Sequence, residues 1–323
     1  MEKVAVLLPA YNEELTIKKT IEDFRKALPN ADIYVYDNNS KDNTFAIAKE
    51  AGAIVVKEPR QGKGNVVRSM FRDIDADYYI MADADDTYPA DEVENLLQPL
   101  REGADMTIGD RLSNGTYSQE NKRAFHGFGN NLVKNLINSL YKSKYEDIMT
   151  GYRGFDRLFV KTFPVLSPGF EIETELSIHS LDKRFKIVEV PITYRDRPEG
   201  SESKLNTVSD GIKVVRTIFN LFKDYKPLLF FSIISLIFFI LSLVVGVPVI
   251  IEFFQTRFVT RVPSAILSGS IMVISLLALT CGFILDTVTR HARISYELDV
   301  QNYIEGEKII NLLRNNGVKN NVK

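Results

Sequence analysis

Asp83 and Asp85 stand two apart at the end of the apolar run Tyr79-Ile80-Met81-Ala82, and Asp86-Thr87-Tyr88-Pro89 follows. Carboxylates at this spacing can converge on one hard cation through oxygen. A Mg2+ or Mn2+ ion held in that way would also grip a diphosphate. The run reads as a buried strand that opens into a turn, and parallel-sheet proteins bind ligands at that strand end. D-x-D alone is a weak signal, because a solvated acidic turn has the same composition. Its weight comes from the elements around it.

Those elements alternate. Lys3–Leu8 reads as a strand, and Leu15, Ile17, Ile21, Phe24 and Leu28 then recur at helical spacing. Asp32–Tyr36 is a second strand ending at Asp37-Asn38-Asn39-Ser40. Asp42 or Asn43 caps a helix over Thr44–Ala51. Ala53–Lys57, Tyr78–Ala82, Asp105–Gly109 and Ile187–Val190 are further strands. Helices are expected after Gly62-Lys63-Gly64-Asn65, near Asp91–Arg101, from near Asn121 to Tyr141, and over Phe170–Leu181. Alternation of this kind predicts an α/β domain with a mostly parallel sheet. Glu13, Asp37 and Asp83/Asp85 then fall at strand ends along one edge. That layout suits a nucleotide, with acceptors for base and ribose and a metal for phosphates. No G-x-x-x-x-G-K-[ST] or G-x-G-x-x-G phosphate loop is present.

Composition narrows the class. The net charge of −2 gives no reason to expect nucleic acid. One cysteine, Cys281, and three scattered histidines exclude a disulfide framework, a Cys-based zinc site and a His-rich metal site. Residues 228–251 and 262–285 carry no charged side chain, and each exceeds the roughly 20 residues that span a bilayer. They predict a transmembrane hairpin over 228–285. Lys213, Arg216, Lys223 and Lys226 precede it and Arg290 and Arg293 follow, against Arg257 and Arg261 in the turn. This bias puts both termini in the cytoplasm, and the start of the chain, polar again by Tyr11-Asn12-Glu13, is too short for a signal peptide. Val208, Ile212, Val215, Ile218, Phe219 and Phe222, interleaved with basic residues, fit an amphipathic helix over 207–227 at the headgroup level. Packing of that face on the soluble domain fits equally. In the tail, 286–323, a further helix is expected over Ile294–Leu313, with Asn315–Lys323 frayed.

Taken in order, several motifs carry a resemblance: Pro9-Ala10-Tyr11-Asn12-Glu13, Asp37-Asn38-Asn39-Ser40-Lys41-Asp42, Gly62-Lys63-Gly64, Asp83-Ala84-Asp85, Thr150-Gly151-Tyr152-Arg153, Phe170-Glu171-Ile172-Glu173-Thr174-Glu175 and Arg197-Pro198-Glu199-Gly200-Ser201-Glu202-Ser203-Lys204-Leu205. The chain resembles the family 2 glycosyltransferases of GT-A fold, a Rossmann-like nucleotide-diphospho-sugar transferase architecture. It looks closest to the polyprenyl-phosphate glycosyltransferases, relatives of dolichol-phosphate mannose synthase. The resemblance covers about residues 3–206, so a cytoplasmic catalytic domain over 1–206 is expected. The last motif is one residue longer than in the mannose synthases, as in the bacterial undecaprenyl-phosphate branch.

The resemblance implies roles. Pro9, Ala10, Tyr11, Glu13, Asp37, Asn39, Lys63 and Ala84 would contact the donor nucleotide together with Asp83 and Asp85. Asp83 and Asp85 would hold the metal, with Asp85 its main ligand. In the mannose synthases a Gln two residues after the second Asp supplies a third ligand; Thr87 stands there in this chain. Arg111, Arg123, Arg153 and Arg197, with Ser203 and Lys204, would hold the acceptor and donor phosphates, and Asp83, Asp85 and Arg197 would carry catalysis. The implied reaction is inverting transfer of a hexose or N-acetylhexosamine from a nucleotide sugar, a UDP-sugar before a GDP-sugar, to undecaprenyl or polyprenyl phosphate. It would build lipid-linked sugars for the cell envelope at the inner membrane, and relatives imply a homo-oligomer. The phosphate monoester is already anionic at neutral pH and needs no strong general base. A processive polysaccharide synthase is a rival on the same fold, but its Q-x-x-R-W motif needs a tryptophan and the chain has none. A non-catalytic scaffold or a transporter is the other rival; intramembrane charge would favour transport, and both spans lack it.

Overall fold

A computed structural model describes residues 2–113, 134–195, 197–198, 219–220 and 222–320. It divides into two compact units, Met1–Val214 and Val215–Lys323. The first is built on one sheet. Its strands are β1 (Val4–Ala10), β2 (Asp32–Asp37), β3 (Ile54–Lys57), β4 (Tyr78–Met81), β5 (Met106–Asp110), β6 (Arg153–Asp156) and β7 (Ile187–Pro191), in the order β3-β2-β1-β4-β6-β5-β7. β1 to β4 pair in parallel, β6 lies antiparallel between β4 and β5, and β7 is parallel to β5. The mixed sheet is that of a GT-A-like α/β domain. β6 is not foreseen in the sequence.

The apolar runs follow from burial on both faces. Along β1, Val4, Val6 and Leu8 enter one core with Ile17, Ile21 and Phe24 of α1 (Ile17–Ala27) and Leu96, Leu97 and Leu100 of α4 (Val93–Arg101). Ala5 and Leu7 enter the other, with Val67, Met70 and Phe71 of α3 (Lys63–Asp73), Phe159 of α5 (Arg157–Thr162) and Leu176 of α6 (Ile172–Asp182). The short helix α2 (Thr44–Glu50) follows β2. Residues 134–141 are helical, the described end of the stretch expected from Asn121.

The second unit is a helical hairpin, α7 (Pro227–Thr256) and α8 (Val262–Asn320), with both helices long and apolar enough to cross a membrane. α8 corrects an expectation. No separate helix begins at Ile294; the helix of the second apolar stretch runs unbroken through 59 residues. Nothing after Leu285 stops it, since neither Pro nor an early Gly interrupts Asp286–Glu305. The expected amphipathic helix over 207–227 lies mostly outside the described residues.

Candidate active site

Register fixes the edge. Ala10 of β1 faces Asp37 of β2, and Leu7 faces Met81 of β4, so the turns after these three strands meet at one end of the sheet. Asn12, Asn39 and Asp86, one in each turn, have positive φ of 53°, 62° and 61°. Asn and Asp tolerate this left-handed geometry better than bulkier residues. The turns are laced together. Asn12 N donates to Ser40 Oγ at 2.9 Å, and Lys41 N donates to Asn12 Oδ1 at 2.7 Å. Glu13 N donates to Thr44 Oγ1 at 2.8 Å, and Thr16 Oγ1 donates to Ala84 O at 2.8 Å.

Pro9, Ala10, Tyr11, Glu13 and Asp37 therefore do lie together. Ala10 and Ala84 are buried methyls of the core, so only their backbones face the turns. Asp37 is 2% exposed, and its Oδ1 has no hydrogen-bond partner. A buried acceptor in that state is costly unless a ligand donor meets it. Asn39 is exposed and gives its amide to Pro59 O at 2.8 Å. Its neighbour Asn38, to which sequence reasoning gave no role, is buried. It holds the turn before α3 by donating to Glu58 O and Arg60 O and accepting from Gly62 N at 2.7 Å.

The two aspartates of the D-x-D are each ion-paired. Lys63, at the start of α3, donates to Asp83 Oδ1 at 2.5 Å and to Glu173 Oε1 of α6 at 2.6 Å. Arg197 donates to Asp85 Oδ2 at 2.5 Å. Thr87 Oγ1 donates to Asp85 Oδ1 at 2.6 Å, so Thr87 orients the carboxylate. Burial works against the Asp83 carboxylate, yet Lys63, Arg197 and Arg111 hold its pKa below the ordinary value. Burial and the charge of Asp83 push Asp85 up, against Arg197 and Thr87. Burial opposes the Lys63 ammonium, but Asp83 and Glu173 hold its pKa up. Gly151 leaves room for the pair: a Cβ there would stand 2.7 Å from Asp83 Oδ2 and 3.0 Å from Lys63 Nζ.

The donor set fits a hard divalent ion. Burial first and the charge of Asp83 second raise the Asp85 pKa, and a cation between the two carboxylates would relieve their repulsion. Among the described residues, no three acidic, histidine or cysteine side chains converge as a metal site. Two carboxylates with substrate oxygens and water are an ordinary magnesium arrangement.

The arginines divide. Arg111 is held bidentately by Asp147, at 2.7 and 3.0 Å, beside the Tyr88 hydroxyl and the Tyr194 ring. Arg153 corrects an expectation. It is fully buried on β6 and donates to Ile148 O, Thr150 O, Glu173 O and Ser177 Oγ. With its donors committed to protein acceptors, it is a structural tie between β6 and α6 and is not placed to meet a phosphate. Arg123, Ser203 and Lys204 lie outside the described residues. Glu173 belongs to the cluster and was not foreseen as a site residue. The signal was a glutamate in the Phe170–Glu175 motif, but its spacing does not distinguish it from Glu171 or Glu175.

Comparisons with known proteins give the family and the fold. Residues 5–163 match the profile of "Glycosyl transferase family 2". Glycosyltransferase AglJ of Haloferax volcanii is 35% identical over 235 residues, 72% of this chain and 76% of that protein. An undecaprenyl-phosphate mannosyltransferase of Micrococcus luteus is 26% identical over 227 residues, 66% of this chain and 91% of that protein. Among solved structures, glucosyl-3-phosphoglycerate synthase of Mycobacterium tuberculosis, in complex with Mn2+, UDP and phosphoglyceric acid, superposes with a TM-score of 0.55. It is 22% identical, and the match covers 68% of this chain and 78% of that one.

Proposed function

The chain belongs to glycosyl transferase family 2, and from that premise we propose that it transfers a hexose or N-acetylhexosamine from a UDP-sugar to undecaprenyl or another polyprenyl phosphate, with inversion. The observation that carries this reading is the acidic edge. Asp37, at the end of β2, offers a buried, unpartnered acceptor to a base N–H, and Asp83 and Asp85 follow β4, two strands along the same edge. The relative from Micrococcus luteus, named for transfer to undecaprenyl phosphate, supports the acceptor class. Bound Mn2+ and UDP in the solved relative support a divalent ion and a uridine donor.

Asp83 and Asp85 would hold Mg2+ or Mn2+, which when bound supplies positive charge to the leaving diphosphate. The rest follows from the side chains. An acceptor phosphate oxygen forms a bond to the anomeric carbon as the bond from that carbon to the β-phosphate oxygen breaks. The electron pair leaves on the nucleoside diphosphate. Pro9, Tyr11, Glu13 and Asp37 position the nucleoside, so the reaction is unimolecular within the complex. Arg197, released from Asp85, adds its guanidinium to a phosphate, for which its planar fork is suited. The first unit carries the catalytic site, and the helices Pro227–Thr256 and Val262–Asn320 form the membrane hairpin. The hairpin keeps the site where a prenyl phosphate can be met, at the cytoplasmic face of the inner membrane.

The test is a panel of UDP- and GDP-sugars with undecaprenyl phosphate and the purified full-length chain, read by mass spectrometry of the lipid product. One donor is expected to give a lipid-linked sugar that EDTA abolishes. Asp85→Asn should lower turnover by about 100-fold or more, the scale of losing one electrostatic stabiliser of a leaving group. Product formation that survives both EDTA and Asp85→Asn would remove the metal from the mechanism.

A further inference from the structure

Behind the acidic edge a third carboxylate acts on the first. Glu173 does not reach the D-x-D directly; Lys63 lies between them, within hydrogen-bond distance of both Asp83 and Glu173. Lys63 and Glu173 are each 8% exposed at the side chain, so water screens their pairing weakly, while Asp83 is 31% exposed. Asp83, Asp85 and Glu173 carry three negative charges, and Lys63 and Arg197 carry two positive ones. A lysine given wholly to Asp83 would neutralise that carboxylate and repel an incoming cation. With Glu173 on its other side, the ammonium is shared, and the row Asp83–Lys63–Glu173 keeps one net negative charge.

α6 is placed to hold this arrangement. Arg153 donates to Glu173 O and to Ser177 Oγ one turn on. Leu166 N and Ser167 N donate to the Glu175 carboxylate at 3.0 and 2.8 Å. Gly64 N and Asn65 N, next to Lys63, donate to Gly169 O and Pro168 O of the same loop. Glu173 and Lys63 are thus fixed to each other through backbone as well as through their ion pair.

We infer that Glu173 is a positioning residue for the cation site: by sharing the Lys63 ammonium it leaves Asp83 enough negative charge to accept a divalent ion. The inference rests on the reading of Asp83 and Asp85 as cation ligands. It concerns charge supplied from outside the ligand set, so it makes a prediction that a merely structural glutamate does not. Glu173→Gln preserves shape and a hydrogen-bond acceptor for Lys63 but hands the lysine charge to Asp83. Lys63→Met combined with Glu173→Gln removes both charges and returns the row to one net negative.

The experiment titrates the full-length chain in detergent with Mn2+ alone and follows free Mn2+ by electron paramagnetic resonance. Glu173→Gln is expected to weaken Mn2+ binding about fivefold or more, the size of effect one weakly screened charge exerts at this range. The double variant is expected to bind Mn2+ at least as tightly as the unaltered chain, a rescue that two structural losses would not produce. Asp85→Asn is the control. If it abolishes binding while Glu173→Gln leaves it unchanged, the inference is overturned and the metal reading stands. If Asp85→Asn binds Mn2+ normally, the metal reading itself fails. If Glu173→Gln does not fold, the double variant decides alone: binding weaker than that of the unaltered chain overturns the inference.

Discussion

Single residues separate the groups that meet a ligand from those that hold the frame. Asp37 is the clearest candidate for the first kind, because its buried Oδ1 has no protein partner. Asp37→Asn puts a donor where an acceptor is needed. It should raise the donor KM by about tenfold with little change in kcat, since one ground-state hydrogen bond is lost; steady-state kinetics with the active donor checks this. Arg153 is of the second kind. Burial draws its pKa down to about 10, so the guanidinium stays charged at neutral pH. Arg153→Met would strand the buried carbonyl of Thr150 and leave those of Ile148 and Glu173 to share the Ser177 hydroxyl. The expected cost is about 3 kcal/mol, seen as a lower melting temperature in detergent, with Arg153→Lys recovering part of it.

At the scale of elements, what could be read in the sequence depended on how each element is buried. β1 and β4 are apolar runs because both faces of the sheet are covered, and their ends, with the acidic turns, were legible. β6 was not. Its four residues, Arg153-Gly154-Phe155-Asp156, carry a charge at each end and become a strand only by filling the gap between β4 and β5. α6 hides its period in another way. Residues Ile172–Ser180 are all buried, so no polar face marks a 3.6-residue repeat, and the importance of Glu173 shows only in three dimensions. The turn between β3 and α3 offers a pH test. Arg60 and Ser69 donate to Glu58 and, against burial, hold its pKa at about 2, below the ordinary 4.5. A carboxylate with a depressed pKa contributes stability above its unfolded pKa and loses it as pH falls toward the folded value. Glu58→Gln should therefore destabilise the domain at pH 7. The gap to the unaltered chain should close between about pH 5 and pH 2, which denaturant unfolding across that range measures.

For the whole molecule, the hairpin carries the prediction. On the proposed topology, in which the basic residues flanking the spans stay inside, the turn 257–261 is expected outside and both ends of the chain inside. With Cys281 replaced by serine, a cysteine at Thr260 should react with a membrane-impermeant maleimide added to whole cells. One at Asn316 should react only after lysis; the reverse pattern would invert the topology. Within the hairpin, hydroxyls meet across the helices. Ser275 Oγ donates to Ser235 O at 2.8 Å, and Ser242 and Ser268 each donate to the other's carbonyl at 3.0 Å. In the bilayer that the hairpin is proposed to span, a lost partner for such a bond would be hard to replace. If one helix slid a full turn along the other, all three would break at once. The hairpin is therefore latched lengthwise, and a pull or push on either helix should move both as a single rod.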